Sequence, residues 1–232
     1  MLWMKGWYET RVRFLLLIAG TLVAAAVTSS DSIAQAGLAP QQLDATTLIG
    51  LSALASILLA GAGIKTQPGG VRPSKGLHGS MYYTLSLPVT RSRLFGVRVS
   101  LGLAQTAIIH VLACIAVWLV RPAIRLHADP FDLLKHDIAA FFFVVAVYSL
   151  GVFFATFLDD VYQTWANMFT MMSFIVIMNR IPLPRSLDGL FVLSVASPLI
   201  THTMPWMMLA ALLALSATLL LISIRIVHWR EY

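Results

Sequence analysis

Long apolar segments separated by short polar ones constrain this chain more than any other feature. Each apolar segment is close to the roughly 20 residues that a helix needs to cross the hydrocarbon core of a bilayer. A backbone inside lipid must satisfy its own hydrogen bonds, and no segment has the alternating pattern of a barrel strand, so each is predicted to be helical. The segments are 14–28, 47–64, 97–120, 138–158, 162–178 and 205–227.

The composition also indicates a membrane protein. Hydrophobic residues make up 59% and charged residues 11% of the 232 residues, whereas soluble proteins average about 45–50% apolar residues. The sequence therefore predicts an all-α, polytopic membrane protein with six transmembrane helices, forming one transmembrane domain over 1–232. Ala34-Gln35-Ala36 resembles a signal-peptide cleavage site, but the first apolar run ends before it, so we expect that run to be retained. The lone cysteine, Cys114, excludes an intramolecular disulfide.

The positions of Lys and Arg predict which side of the membrane each connection faces. With the N-terminus in the cytoplasm, five of the 16 basic residues lie outside and the other eleven inside, an excess typical of cytoplasmic segments. We therefore expect a multi-pass protein of the cell (inner) membrane with both termini cytoplasmic. The net charge of +6 fits this bias, and no nucleic-acid partner is expected. The outside residues are Arg121, Arg125 and Lys135, in a loop predicted at 121–137, and Arg180 and Arg185.

Two shorter segments are predicted to lie at the membrane surfaces. Residues 1–13 place Trp3 and Trp7 four residues apart among basic residues, a pattern typical of an interfacial helix and equally of a solvated start to the first span with an aromatic belt. Residues 182–203 contain an apolar stretch that is too short to cross and is flanked by prolines. This pattern predicts a short re-entrant element on the outward side, before the last span.

The connection at 65–96 is the longest cytoplasmic segment. Its first part is rich in Pro and Gly and is not expected to form a regular helix. Residues 79–87 can form a short helix that Pro88 interrupts, and Thr90 is placed to cap a new helix leading into the third span. A short helix held between two spans transmits a push to both of them.

The end of this connection resembles the cytoplasmic signature of permease subunits of type 2 ATP-binding-cassette (ABC) exporters. Members of that family read roughly Glu-x-x-x-Gly-Thr, then a run like Leu-Ser-x-Pro-Val-Ser-Arg, then a basic start to the third span. Here Leu85-Ser86-Leu87-Pro88-Val89-Thr90-Arg91 matches the run, and Gly79-Ser80 stands for Gly-Thr. Lys75 occupies the position of the glutamate. The layout of a surface helix, six spans and a long second connection also fits.

The resemblance implies a permease subunit that couples ATP hydrolysis by a separate ATPase to substrate translocation, with 79–87 as the coupling helix. It implies two copies of the ATPase, which would carry the ATP and Mg²⁺, and a second permease subunit in a homodimer or heterodimer within the lipid bilayer. The residues implied to act in coupling are Gly79, Ser80, Tyr82, Tyr83, Leu85, Pro88, Arg91 and Arg93.

The chain itself is not expected to be an enzyme, and no catalytic, cofactor-binding or metal site is predicted in it. The stretch "GGVRPSKG" has Ser74 and Gly76 where a phosphate loop requires a glycine and a hydroxyl. Two alternatives remain, a membrane-embedded enzyme and a non-catalytic anchor or channel subunit. Turnover by the isolated chain would favour the enzyme, and ATP-dependent transport with a partner would favour the permease.

Polar residues within the spans are candidates for a substrate pathway or for helix packing. Thr106, His110 and Cys114 recur on one face of the third span, and Gln163 and Asn167 share a face of the fifth. Ser52 and Ser56 belong to a small-residue stripe on the second span that suits close helix contact. The candidates for the pathway or for packing are Gln105, Thr106, His110, Gln163 and Asn167.

Overall fold

All regular structure in the described part of the chain is helical, as the sequence predicts. The computed structural model describes residues 2–27, 40–60, 90–120, 129–158, 160–178 and 198–229. Its helices are α1 Leu2–Val27, α2 Pro40–Leu59, α3 Arg91–Val120, α4 Pro130–Ala155, α5 Asp160–Met178, α6 Pro198–Thr201 and α7 Trp206–Trp229.

Three of these helices are long and apolar enough to cross a bilayer. They are Ser92–Leu119 within α3, Pro130–Ala155 and Trp206–Trp229, with mean hydropathies of 1.9, 2.4 and 2.5. Only 22% of the apolar window of α7 is buried inside the protein, and large apolar side chains such as Leu213, Leu215 and Leu221 are more than half exposed. Apolar surface on this scale is unfavourable in water and favourable in lipid. The helices therefore indicate a membrane-embedded protein.

Two helices begin at start signals that are visible in the sequence. The side chain of Asp129 accepts a hydrogen bond of 2.9 Å from the backbone N–H of Phe131, and Pro130 occupies the first helical position. α4 therefore begins at Pro130, so helical structure starts within the connection predicted at 121–137, before the predicted span at 138–158. α3 begins directly after Thr90, whose carbonyl accepts from the backbone N–H of Leu94 at 3.1 Å, as the sequence predicts.

The N-terminal segment is continuous with the first predicted span. α1 runs without a break through residue 13, so residues 2–13 are the first half of a 26-residue helix, as expected for a start to the first span and not for a separate interfacial helix. Thr10 on this half is buried and accepts a hydrogen bond of 2.7 Å from the side-chain amide of Gln105 on α3. This polar contact joins the first half of α1 to α3, beside apolar contacts such as that of Phe14 in the first core cluster.

The long helices alternate in direction. The first core cluster joins the ends of α2, α4 and α7 to the start of α3, through Leu59, Val152, Val227 and Phe95. The second cluster, which includes Ile49, joins the starts of α2, α4 and α7. α1 runs parallel to α3, because a side chain on Gly6 would meet Leu101 and Thr10 contacts Gln105.

One end of the bundle carries most of the positive charge. We call the end formed by the starts of α3 and α5 and the ends of α2, α4 and α7 the basic end. Among the described residues, Lys135 at the start of α4 lies at the opposite end. The other seven described basic residues lie at the basic end or on the first half of α1: Lys5, Arg11, Arg13, Arg91, Arg93, Arg98 and Arg225.

Candidate functional site

A groove opens at the basic end between α1, α2 and α5. It has a volume of ≈ 530 Å³, within the range of small-molecule sites. Among the described residues that line it, most are apolar and Arg13 is the charged one. The lining residues are Arg13, Leu16, Leu17, Leu58, Gln163, Thr164, Trp165 and Met168.

Gln163, one of the predicted candidates, connects this groove to the helix core. It is 2% exposed, and its side-chain N–H donates to the backbone carbonyl of Ile57 on α2 at 3.2 Å. The bond ties the start of α5 to the end of α2. Gln163 therefore both packs and lines the groove, two roles that its sequence pattern leaves open.

Asn167 lies one helical turn further along α5 and is fully buried. Neither atom of its amide group has a hydrogen-bond partner among the described residues. Gly151 of α4 lies beside it, since a Cβ on that glycine would come within 2.8 Å of the Asn167 side-chain nitrogen. An unsatisfied buried amide costs about 1–3 kcal/mol, so an amide at this buried position is a candidate for a role other than packing.

The candidates on α3 form a polar seam away from the groove, between α2, α3 and α4. Nδ1 of His110 lies 3.1 Å from the Ser52 hydroxyl, and its Nε2 lies 3.1 Å from the Asp137 carbonyl. The sulfur of Cys114 is 3.6 Å from the same Nε2. Both ring nitrogens thus contact neighbouring helices, which is a packing arrangement.

Gln105 and Thr106 are also buried in this bundle. Besides its bond to Thr10, Gln105 presents an amide oxygen without a hydrogen-bond partner among the described residues, as does the Thr106 hydroxyl. Among all the described residues, no three His, Cys, Asp or Glu side chains are arranged to hold a metal ion.

The predicted coupling residues are described only in part. Gly79, Ser80, Tyr82, Tyr83, Leu85 and Pro88 lie outside the described residues. Arg91 is the first residue of α3, and Arg93 follows on the same first turn with an exposed side chain. Most of the predicted re-entrant element also lies outside the described residues, apart from α6 and the two residues after it.

A charged contact that no sequence pattern predicts lies at the end of the bundle opposite the basic end. The carboxylate of Asp132 on α4 is 3% exposed and accepts a hydrogen bond of 2.7 Å from Lys135 Nζ. His202, after α6, contacts the other carboxylate oxygen through Nδ1, and its carbonyl accepts from Lys135 at 2.9 Å. These bonds fasten the segment before α7 to the start of α4. The participants are 70 residues apart in sequence, so no local pattern could pair them.

We expect Asp132→Asn to loosen this contact and lower the thermal midpoint of unfolding. His202 has a φ of 58°, in the left-handed region that asparagine also tolerates, so His202→Asn removes the imidazole with little backbone penalty. The two substitutions should be strongly non-additive, since either one removes the pair. Additive midpoints for the two single variants and the double variant would refute the coupling. Thr203→Ala, beside His202 and exposed, is the matched control.

Comparison of the chain with known proteins finds no relative. No family model matches the chain, and no curated protein or solved structure matches it.

Proposed function

We propose that the chain is the membrane-spanning permease subunit of an ATP-driven ABC transporter that works as an exporter. The observation that carries this proposal is the run Leu85 to Arg91, which resembles the cytoplasmic signature of type 2 exporters. The run ends at Arg91, where α3 begins. A push on the segment before Pro88 would therefore act at the start of a long helix.

The alternating helices support a six-span topology for this subunit. In the proposal, α1, α2 and α5 cross the membrane together with α3, α4 and α7. Each helix then runs opposite to the one before it, with α6 as a short element before the last span. The basic end corresponds to the cytoplasmic side, because cytoplasmic segments carry the excess of Lys and Arg. Both termini are then cytoplasmic, and the subunit belongs to the cell (inner) membrane.

The groove at the basic end is the proposed start of the substrate pathway. Gln163 lines it and Asn167 lies one turn deeper, so amide groups lead from the groove into the bundle. A buried amide without a described partner is costly, and a role in transport is a reason to retain it. The seam around His110 is proposed to hold the helices together. Two copies of a separate ATPase and a second permease subunit complete the transporter.

The test is capture of the ATPase by the tagged full chain from mild detergent. The captured material is assayed for ATP hydrolysis, and its subunits are identified by mass spectrometry. One variant scrambles residues 79–87, and a control variant scrambles the equally long segment 30–38, which is predicted to lie on the other side of the membrane. We expect the wild type and the control to recover a nucleotide-binding subunit, and the 79–87 variant to lose at least nine-tenths of it, on the order of the ~1.4 kcal/mol that a tenfold change represents.

Equal recovery by both scrambled variants would contradict the coupling role of 79–87. Failure of the wild type to recover any nucleotide-binding subunit, even after chemical crosslinking in membranes, would contradict the permease assignment. Comparable amounts of each variant in the membrane fraction are required in both cases.

A further inference from the structure

The groove between α1, α2 and α5 faces the surroundings of the bundle as well as its interior. Leu16 and Trp165 on its rim are 67% and 68% exposed, and Met168 is 40% exposed. In a membrane-embedded protein, the medium that reaches such side chains is lipid. The groove is therefore open to molecules that diffuse within the bilayer.

The chemistry of the groove is that of an amphiphile site with one polar end. Leu16, Leu17, Leu58 and Met168 offer a surface for a hydrocarbon chain. Arg13 brings a guanidinium to the same groove, and this group matches the geometry of a phosphate through paired hydrogen bonds. Trp165 adds an aromatic ring of the kind enriched at the level of lipid headgroups.

The charge of the groove selects among amphiphiles. Arg13 is the charged residue among the described residues that line it, and the basic end and the first half of α1 together carry seven of the eight described basic residues. A cationic headgroup would be repelled there, and a neutral one would gain nothing from the charge. An anionic headgroup is attracted by about 1 kcal/mol for each basic residue near a membrane surface.

We propose that this groove binds an anionic phospholipid, with the phosphate at Arg13 and a hydrocarbon chain along Leu16, Leu17 and Leu58. Placing the lipid in the inner leaflet relies on the topology of the proposed function. The binding itself does not, because it needs neither the ATPase nor a defined orientation. A failure of lipid binding would thus be distinguishable from a failure of the permease assignment.

The experiment measures quenching of tryptophan fluorescence by brominated lipids in the purified full chain. The two probes are phosphatidylglycerol and phosphatidylcholine with the same brominated chains, titrated into the protein in neutral detergent. Trp165→Phe identifies the part of the signal that comes from the groove, since the chain has six tryptophans. We expect quenching at Trp165 at lower concentrations of phosphatidylglycerol than of phosphatidylcholine.

Arg13→Gln should reduce the preference for phosphatidylglycerol about fivefold, in line with ~1 kcal/mol per basic residue, and Arg13→Lys should retain most of it. Arg11→Gln is the matched control. It removes the same charge two residues away, from a side chain that packs over the Tyr8 ring and does not line the groove. This control should lower the preference clearly less than Arg13→Gln does, because Arg11 contributes only to the general basic surface.

Equal losses in Arg11→Gln and Arg13→Gln would overturn the proposal, since a diffuse basic surface would then explain the preference. Unchanged preference in Arg13→Gln would overturn it as well. Glycerol phosphate, which has the headgroup chemistry without the chains, should not displace the lipid. If it displaced the lipid at similar concentrations, the site would be a phosphate site and not a lipid groove. Elution of each variant as a single species in size-exclusion chromatography controls for folding.

Discussion

Replacing Gly102 with alanine is expected to destabilise the protein by about 1–3 kcal/mol, the usual cost of adding a methyl group to a filled core. A Cβ at this position would lie 2.8 Å from Cζ and 3.1 Å from Cε2 of Tyr148, and closer still to its hydroxyl. The ring has little room to move, because Tyr148 is 1% exposed and its hydroxyl donates to the carbonyl of Val99 at 3.3 Å. The substitution therefore pushes α3 and α4 apart.

Gly96→Ala on the same helix is the matched control. Nothing lies within 4 Å of a Cβ built there, so this variant should gain up to about 1 kcal/mol from the higher helix propensity of alanine. The lone cysteine, Cys114, is partly buried on α3, so unfolding can be followed with a dye that becomes fluorescent on reacting with its thiol. The expected result is a lower midpoint for Gly102→Ala and an equal or higher one for Gly96→Ala.

Tyr148→Phe tests whether the tyrosine hydroxyl causes the clash. The substitution removes the atom closest to the added methyl group, so Gly102→Ala should cost less in the Tyr148→Phe background than in the wild type. An equal cost in both backgrounds would show that the hydroxyl is not the obstacle. A Gly102→Ala midpoint at or above that of Gly96→Ala would refute the close packing of α3 on α4.

The helical character of the chain could be predicted from the sequence because it depends on local patterns. Apolar runs of sufficient length require helices in lipid, and Thr90 before Arg91 marks a helix start. The boundary at residue 13 followed a change in composition. Composition does not end a helix when every residue tolerates the conformation, so α1 continues through it. The predicted span begins at residue 138, whereas α4 begins at Pro130, where Asp129-Pro130 is a recognisable start signal.

The contacts between helices could not be predicted from the sequence in the same way. The stripe containing Ser52 and the face containing His110 are each visible in the sequence. Their pairing depends on the axial offset between α2 and α3, which the sequence does not give. The same holds for Gln163 and the carbonyl of Ile57, which are 106 residues apart. A pattern on one helix gives the direction of a side chain and leaves its partner on another helix undetermined.

Gly151→Ala is expected to be the second strongly destabilising substitution, again by about 1–3 kcal/mol. A Cβ on Gly151 would lie 2.5 Å from the Cβ of Ala60 and 2.8 Å from the side-chain nitrogen of Asn167. The position of an alanine Cβ is fixed by the backbone, so no side-chain rotation can relieve the contact with Ala60. α2 and α4 would therefore have to separate where they pack against α5. Gly50→Ala, with nothing within 4 Å of the added methyl group, is the matched control for the thiol-reactive dye measurement.

Exchanging the two residues makes this prediction sharper. In the double variant Ala60→Gly with Gly151→Ala, the methyl group moves from α2 to α4 and the contact between them returns to its original size. Ala60 directly follows the last residue of α2, where glycine is well tolerated, so Ala60→Gly alone should cost little. We expect the exchange to restore most of the stability that Gly151→Ala loses. If the double variant were as unstable as Gly151→Ala alone, the obstacle would be the Asn167 amide, and Gly151 would serve to make room for that amide and not for α2.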